Sequence, residues 1–512
     1  MIEVDRRQLL RAGAGGLALL TMPRWLAGCA KGVSTSGPLP ENPFLAWFGI
    51  DESIISQVMA ELVVRGADNA DIFFQHSRST SVELEDGLIS RANTSIDQGV
   101  GLRVVVGDQT GYAFTEDLSL EAMLAAARTA ASIARGQAAV APQSWQHREA
   151  SGMYTLAVPW SEVGIDQKLP RIEALAQKAK VLDPSIQKVS VSWSDGEERV
   201  LVATMGGQIL TDYRPMTRLW ATITAEKNGV TQSNSSNVAG RRGFDWYTDA
   251  MLDKVATEAV DRTMRLFDAR RPPAGEMPVI LAAGASGILL HEAIGHGMEA
   301  DFNRKGISIY SDMIGKPVAP DFCTIVDAAN IPNERGSLNI DDEGNPAGHT
   351  VLVEKGILRG YLHDNISAKH YGVTPTGSGR RQSFRFPPMP RMSCTFMEDG
   401  PHSAEEIIGS VQKGIIAETF TNGQVQIGAG DFTFYIKNGW LIEGGKITAP
   451  IKDCNIIGNG PDALRKVTMA ANDGKLDTGG WTCGKDGQSV PVSQGLPTVL
   501  VSSLTVGGEN VG

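Results

Sequence analysis

Cysteine is scarce in this chain, with five among 512 residues, and the wide spacing of those beyond Cys29 excludes a disulfide-stapled framework. Positive charge is lacking as well. The formal net charge is −11 and no Lys/Arg run interrupts the acidic balance. The basic stripe that phosphate backbones require is therefore missing, and nucleic acid is not an expected partner. Beyond the first thirty residues no apolar run approaches the roughly eighteen needed to span a bilayer. What is abundant is ordinary core material. Hydrophobic residues make up 42% of the chain, and a chain this long is expected to divide them between two domains.

The amino terminus has a different character. Arg6 and Arg7 precede an apolar, Gly/Ala-rich run from Ala12 to Met22, and Leu26-Ala27-Gly28-Cys29 follows. Paired arginines before a short apolar segment resemble a twin-arginine export signal, and Leu-Ala-Gly-Cys resembles a lipoprotein processing box. Residues 1–29 are therefore expected to direct export and to leave Cys29 as a lipid-bearing anchor facing the periplasm. Residues 30–43, rich in Ser, Pro and Gly, would form a flexible linker. An uncleaved leader on a cytoplasmic protein is the alternative.

Apolar periodicity predicts an α+β protein of two domains. Within residues 44–270 one pattern occurs twice. Ile54, Ile55, Val58, Met59, Leu62 and Val63 recur at helical spacing. Short β runs are expected at Asp71–Phe74, Ser81–Leu84, Gly101–Val106 and Gly111–Phe114, then a helix over Leu118–Ala134. The order returns as a helix from Ile165, strands near Val189–Trp193, Val200–Ala203 and Leu219–Thr224, and a helix over Ala250–Phe267. This reads as a duplicated α/β unit. Pro272 and Pro273 cannot continue that last helix, so Arg270–Gly275 reads as the boundary. Residues 276–512 shift toward Gly and alternating β runs, and are expected to form a β-rich second domain.

One segment of that second domain carries metal chemistry. Val279–Ala282 reads as a strand leading into a helix over Gly284–Glu299, which holds His291, Glu292 and His296. Histidines four apart share a helix face. These are five apart, about 140° around a regular α-helix, and could not both reach one ion. A π-bulge between them would realign the rings, and Gly295 would lower its cost. A catalytic zinc takes three protein ligands and keeps an open position for water. His291 and His296 supply two, with Glu292 reserved as general base. For the third, Cys483 has flanking glycine and the nearby cation Lys485, which would favour a thiolate; Glu299 and Asp301 are rivals close to the histidines in sequence. Taken alone, Cys483 reads better as a buried structural thiol.

The HExxxH segment occurs together with Asp341-Asp342-Glu343-Gly344, Thr376-Gly377-Ser378-Gly379-Arg380-Arg381, Gly458-Asn459-Gly460-Pro461 and Cys483-Gly484-Lys485-Asp486-Gly487-Gln488. In combination these resemble the TldD branch of the TldD/PmbA metallopeptidases, and Gly99–Phe114 resembles that family's amino-terminal pattern. The PmbA-like branch lacks the histidine pair. The resemblance implies one zinc ion on His291, His296 and Cys483, with Glu292 as base and unfolded peptides as substrates. It also implies a homodimer, or a heterodimer with a PmbA-like subunit, enclosing the site. The expected reaction is metal-assisted peptide hydrolysis, with β-rich walls pairing to an extended peptide as an added strand. The rival is a membrane-tethered peptide-binding or holdase subunit whose zinc is structural, with four protein ligands and no water.

Other polar clusters are candidates for supporting roles. Arg380 and Arg381 could hold a peptide carboxylate or main-chain carbonyls, with a solvated basic loop as the alternative. Asp341–Glu343 could orient a ligand histidine, with a plain turn as the alternative. Gly423–Gly430 and Gly458–Gly460 read as β-turns.

Overall fold

The computed structural model describes residues 43–134, 139–150, 152–426 and 428–508, so the leader, Cys29 and the linker up to residue 42 lie outside the described residues. The first amphipathic stretch forms the helix Glu52–Val63. Asp51 caps it by accepting the N–H of Ile54, and Ile55, Val58, Met59 and Leu62 face inward. Full burial of each such side chain stabilises the fold by about 1.5–3 kcal/mol. The helix packs against Leu120–Ala131, itself capped by Ser119.

The strands of this half are longer than the expected runs. Asn69–Glu85 absorbs both Asp71–Phe74 and Ser81–Leu84, and Leu88–Val106 contains Gly101–Val106. The polar stretch Gln75–Thr80 falls between two of the expected β runs. In the fold its backbone is paired on both edges, with His76 opposite Gln98 on one side and Arg199 on the other. Ladder pairing satisfies the main chain there whatever the side chains are.

Helix, three strands, helix is the order of both units. In the second the elements are Ile165–Lys180, Ile186–Thr204, Gln208–Lys227, Val230–Gly240 and Asp249–Asp268. Asn228 and Gly229, both at positive φ, make the tight turn between its last two strands. The two units share one sheet. Asn69–Glu85 and Ile186–Thr204 lie side by side and antiparallel, so the sheet runs outward from them through the second and third strands of each unit.

Helix Asp249–Asp268 stops before Pro272, and the next strand, Gly275–Leu281, opens a β-rich body. That strand lies parallel to Lys413–Gln426 and antiparallel to Val499–Gly507 in a seven-stranded sheet. A six-stranded sheet includes Ile325–Ala328, Cys394–Met397 and Ser493–Leu496. Gly423 and Gly458 lie inside strands rather than turns, and Asn459 caps the short helix Gly460–Arg465. The segment carrying the histidines sits between the two sheets. It touches Lys413–Gln426 and Asp431–Glu443 of one, and Cys394–Met397 and Ser493–Leu496 of the other.

Candidate metal centre

Gly284 turns the chain out of strand Gly275–Leu281 at φ +93°, a conformation that only glycine adopts readily. The histidine segment beyond it departs from the regular helix expected over Gly284–Glu299. A 3₁₀ turn at Ala285–Gly287 and an α-turn at Ile288–Leu290 lead into a π-turn at His291–Gly295, and a further 3₁₀ turn spans His296–Met298. The His296 N–H bonds to the His291 carbonyl, five residues back. That one longer hydrogen-bonded ring absorbs the five-residue spacing and brings both imidazoles to the same side. Gly295 has ordinary helical dihedrals, so relief of backbone strain is not its role. A Cβ there would collide with Met392 Sδ.

Cys483 arrives from a small hairpin, Thr482–Lys485 paired with Gln488–Pro491. Its strand alternates exposed and buried residues, so Cys483 and Lys485 both point inward, two residues apart on one face. Ligand atoms of His291, His296 and Cys483 all lie within 4.8 Å of one another, and all three residues are buried. Among the described residues no other group of three or more His, Cys, Asp or Glu side chains is close enough to share a metal. Cys483 Sγ is 3.4 Å from His296 Nε2. A tetrahedral zinc bonded to one nitrogen and one sulfur holds those atoms about 3.5 Å apart, so the spacing fits that ion. Three donors of this kind would leave a fourth position of a tetrahedral ion free. Glu292, with 21% of its side chain exposed, places Oε2 4.0 Å from His296 Nε2.

The donors polarise one another. Burial opposes ionisation of the Cys483 thiol, but the adjacent imidazoles of His291 and His296 hold it well below the usual thiol range. Burial likewise opposes charge on His296, and Glu299 with Cys483 outweighs it, raising that imidazole well above its ordinary value. The other thiols among the described residues lack such neighbours. Burial pushes Cys323 and Cys454 up to about 12 and moves Cys394 the same way.

Several expected roles need correction. Lys485 does not face the thiolate; its Nζ lies 3.1 Å from Glu299 and 2.7 Å from Asp301. Neither carboxylate joins the group of three donors. Glu299 sits behind His296, with Oε2 2.9 Å from Nδ1. Arg380 and Arg381 do not offer a free fork to a ligand, because both are buried within the chain. Arg380 donates to the carbonyls of Met392 and Pro491, whereas Arg381 donates to Asp71 at 3.0 Å and to the Asp342 carbonyl at 2.9 Å. Asp341–Glu343 orients no ligand histidine. Asp341 accepts backbone N–H groups of Glu343, Asn345 and Gly379, Asp342 pairs with Arg214 at 2.6 Å, and Glu343 pairs with Arg103 at 2.6 Å. Sequence reasoning also missed Arg391. Fully buried, it donates to the Cys483 carbonyl at 2.7 Å and places Nε 3.9 Å from Glu299, with no local pattern to mark it.

Two buried imidazoles and a buried thiol close enough to share one ion, with a carboxylate alongside, are a donor set of the metal-dependent hydrolase type. Family comparison makes the class specific. The PmbA/TldA metallopeptidase domain 1 matches residues 70–134, the central domain 158–267 and the C-terminal domain 274–508. The chain belongs to the PmbA/TldD metallopeptidase family, whose curated relatives are named metalloproteases. A metalloprotease TldD homolog of Haemophilus influenzae is 40% identical over 453 residues, covering 87% of this chain and 94% of that protein. A metalloprotease of Methanocaldococcus jannaschii is 31% identical over 441 residues, covering 85% and 96% respectively. Among solved structures, TldE from Thermococcus kodakarensis shares the fold at a TM-score of 0.69 and 19% identity, covering 89% of this chain and 100% of that one.

Proposed function

We propose that this chain is a zinc peptidase that hydrolyses peptide bonds in unfolded or extended chains, with His291, His296 and Cys483 holding one zinc and Glu292 acting as general base. The observation that carries the reading is the convergence of three donors beside a carboxylate 4.0 Å from a donor nitrogen. The choice of zinc is supported by the N/S donor chemistry and by the 3.4 Å separation of Sγ and Nε2. A Saccharolobus solfataricus relative, 30% identical over 355 residues, is named a zinc metalloprotease.

When bound, zinc supplies a water acidified toward neutrality and a Lewis acid for the scissile carbonyl. Glu292, with Oε2 4.0 Å from His296 Nε2, would be the carboxylate that takes a proton from that water and returns it to the departing amine nitrogen. His291, His296 and Cys483 would hold the ion without spending that carboxylate as a ligand. Strands on both sides of the site suit a substrate recognised through its main chain, and so a broad cleavage preference.

Glu292→Gln tests the assignment, because the amide preserves shape and cannot act as a base. Zinc content should match the parent while turnover of an unfolded peptide falls by about 100-fold or more. A variant that keeps both zinc and parental turnover would remove Glu292 from the reaction.

A further inference from the structure

The two histidines of the trio are supported very differently from behind. The His296 ring lies between Cys483 Sγ, 3.4 Å from Nε2, and Glu299 Oε2, 2.9 Å from Nδ1. Glu299 is wholly buried, and its Oε2 lies 3.1 Å from Lys485 Nζ. Lys485 is held in turn by Asp301 at 2.7 Å, by the Pro390 carbonyl at 3.0 Å and by the Phe302 ring beneath it. His291 has no counterpart: its Nδ1 is buried without a hydrogen-bond partner among the described residues.

Strand geometry links these facts. Cys483 and Lys485 are two residues apart on one strand and therefore emerge on the same face. One reaches the Nε2 side of His296, and the other reaches the carboxylate on its Nδ1 side. A single short strand thus brackets one imidazole from both edges. Arg391 closes the arrangement by donating to the Cys483 carbonyl at 2.7 Å while lying 3.9 Å from the other oxygen of Glu299.

We propose that Glu299, held by Lys485, is the positioning residue of the metal site. By accepting the Nδ1 hydrogen it fixes the tautomer that presents the Nε2 lone pair to the ion, and it raises the basicity of that donor. Lys485 makes this feasible as the nearest cation to a buried carboxylate, 3.1 Å away against 3.9 Å for Arg391. Its function in the Cys-Gly-Lys-Asp-Gly-Gln segment is to act on Glu299 rather than on the thiol. The inference rests on the reading of the trio as a zinc site.

Chelator competition on the purified full chain measures the effect. Glu299→Gln should weaken zinc binding by about 10–100-fold. The cobalt-loaded variant should keep its thiolate-to-cobalt charge-transfer band, because Cys483 remains a ligand. Lys485→Met should weaken zinc to a similar degree, and Lys485→Arg should restore part of the loss. In the Glu299→Gln background, Lys485→Met should add less than about threefold, since Lys485 acts through a charge already removed. If Lys485→Met alone does not fold, Glu299→Gln against the parent decides, because it leaves no uncompensated anion at that position. Parental zinc affinity in Glu299→Gln, or losses that multiply fully in the double variant, would overturn the inference. A parent chain that binds no zinc would instead overturn the function proposed above.

Discussion

Among the buried charges of the described residues, two clusters invite comparison, and of these two only one touches the candidate metal donors. Behind His296, Glu299, Lys485, Asp301 and Arg391 form a compact group ending on an imidazole nitrogen. Between the amino-terminal sheet and the β-rich body, Arg103 spans Asp71 and Glu343 at 2.6 Å each, and Arg381 adds a contact to Asp71. Arg214 similarly joins Asp212 at 2.9 Å to Asp342 at 2.6 Å. This second cluster is the larger and bridges parts of the chain more than a hundred residues apart, 240 in the case of Arg103 and Glu343. It holds regions together and contacts none of His291, His296 or Cys483. Burial and charge alone therefore do not mark a site; contact with the donor atoms does.

The largest expected effect lies at the donors. Cys483→Ser should lower zinc affinity by more than the roughly 10–100-fold typical of losing an outer partner, and activity should fall with it. Serine at Cys323, Cys394 or Cys454 should leave the metal content of folded protein unchanged. Elemental analysis after dialysis against a weak chelator makes the comparison, and parental zinc in Cys483→Ser would remove it from the ligand set.

Arg103→Met addresses the bridging cluster. It leaves Asp71 and Glu343 without their shared cation, which should cost about 3–5 kcal/mol of stability. Zinc per folded chain should stay at the parental level. Denaturant titration paired with metal analysis separates the two outcomes: unchanged stability would deny the bridge its role, and lost zinc at full folding would show that the clusters are not independent.

The smallest effect is expected at a carboxyl belonging to neither cluster. Burial and the neighbouring Asp399 push Glu398 up to about 7. A carboxyl with a folded-state pKa above its unfolded value binds its proton more tightly when folded. Its contribution is full at acid pH below the unfolded value and is lost as pH rises through about 7. Partial exposure keeps this below about 1 kcal/mol. Glu398→Gln should flatten that part of the stability profile, read from urea midpoints at acidic and mildly alkaline pH; an unaltered slope would refute the assignment.

Local arithmetic made part of this protein legible. Five-residue spacing of His291 and His296 on a helical segment requires a longer hydrogen-bonded turn if both are to meet one ion, and the His296 N–H reaches back to the His291 carbonyl accordingly. The repeated order of helix, three strands and helix was visible in apolar periodicity. Strand lengths were not, because Gln75–Thr80 owes its extended conformation to neighbours on both edges rather than to its own residues. The buried places of Arg380, Arg381 and Asp341–Glu343 were equally hidden. Their partners, Asp71, Arg103 and Arg214 among them, come from a different part of the chain.

The sequence by itself determined what acts over a few residues: the capped helices, the turn at Asn228–Gly229, the histidine spacing and the lack of any basic stripe. Only the tertiary structure decided which thiol meets the imidazoles and what Lys485 serves. Cys483 lies 187 residues from the imidazole it meets, and Lys485 lies 184 from Asp301. Ionisation and pairing depend on which charges come within a few ångströms in a desolvated interior, and that distance is fixed by folding rather than by position along the chain.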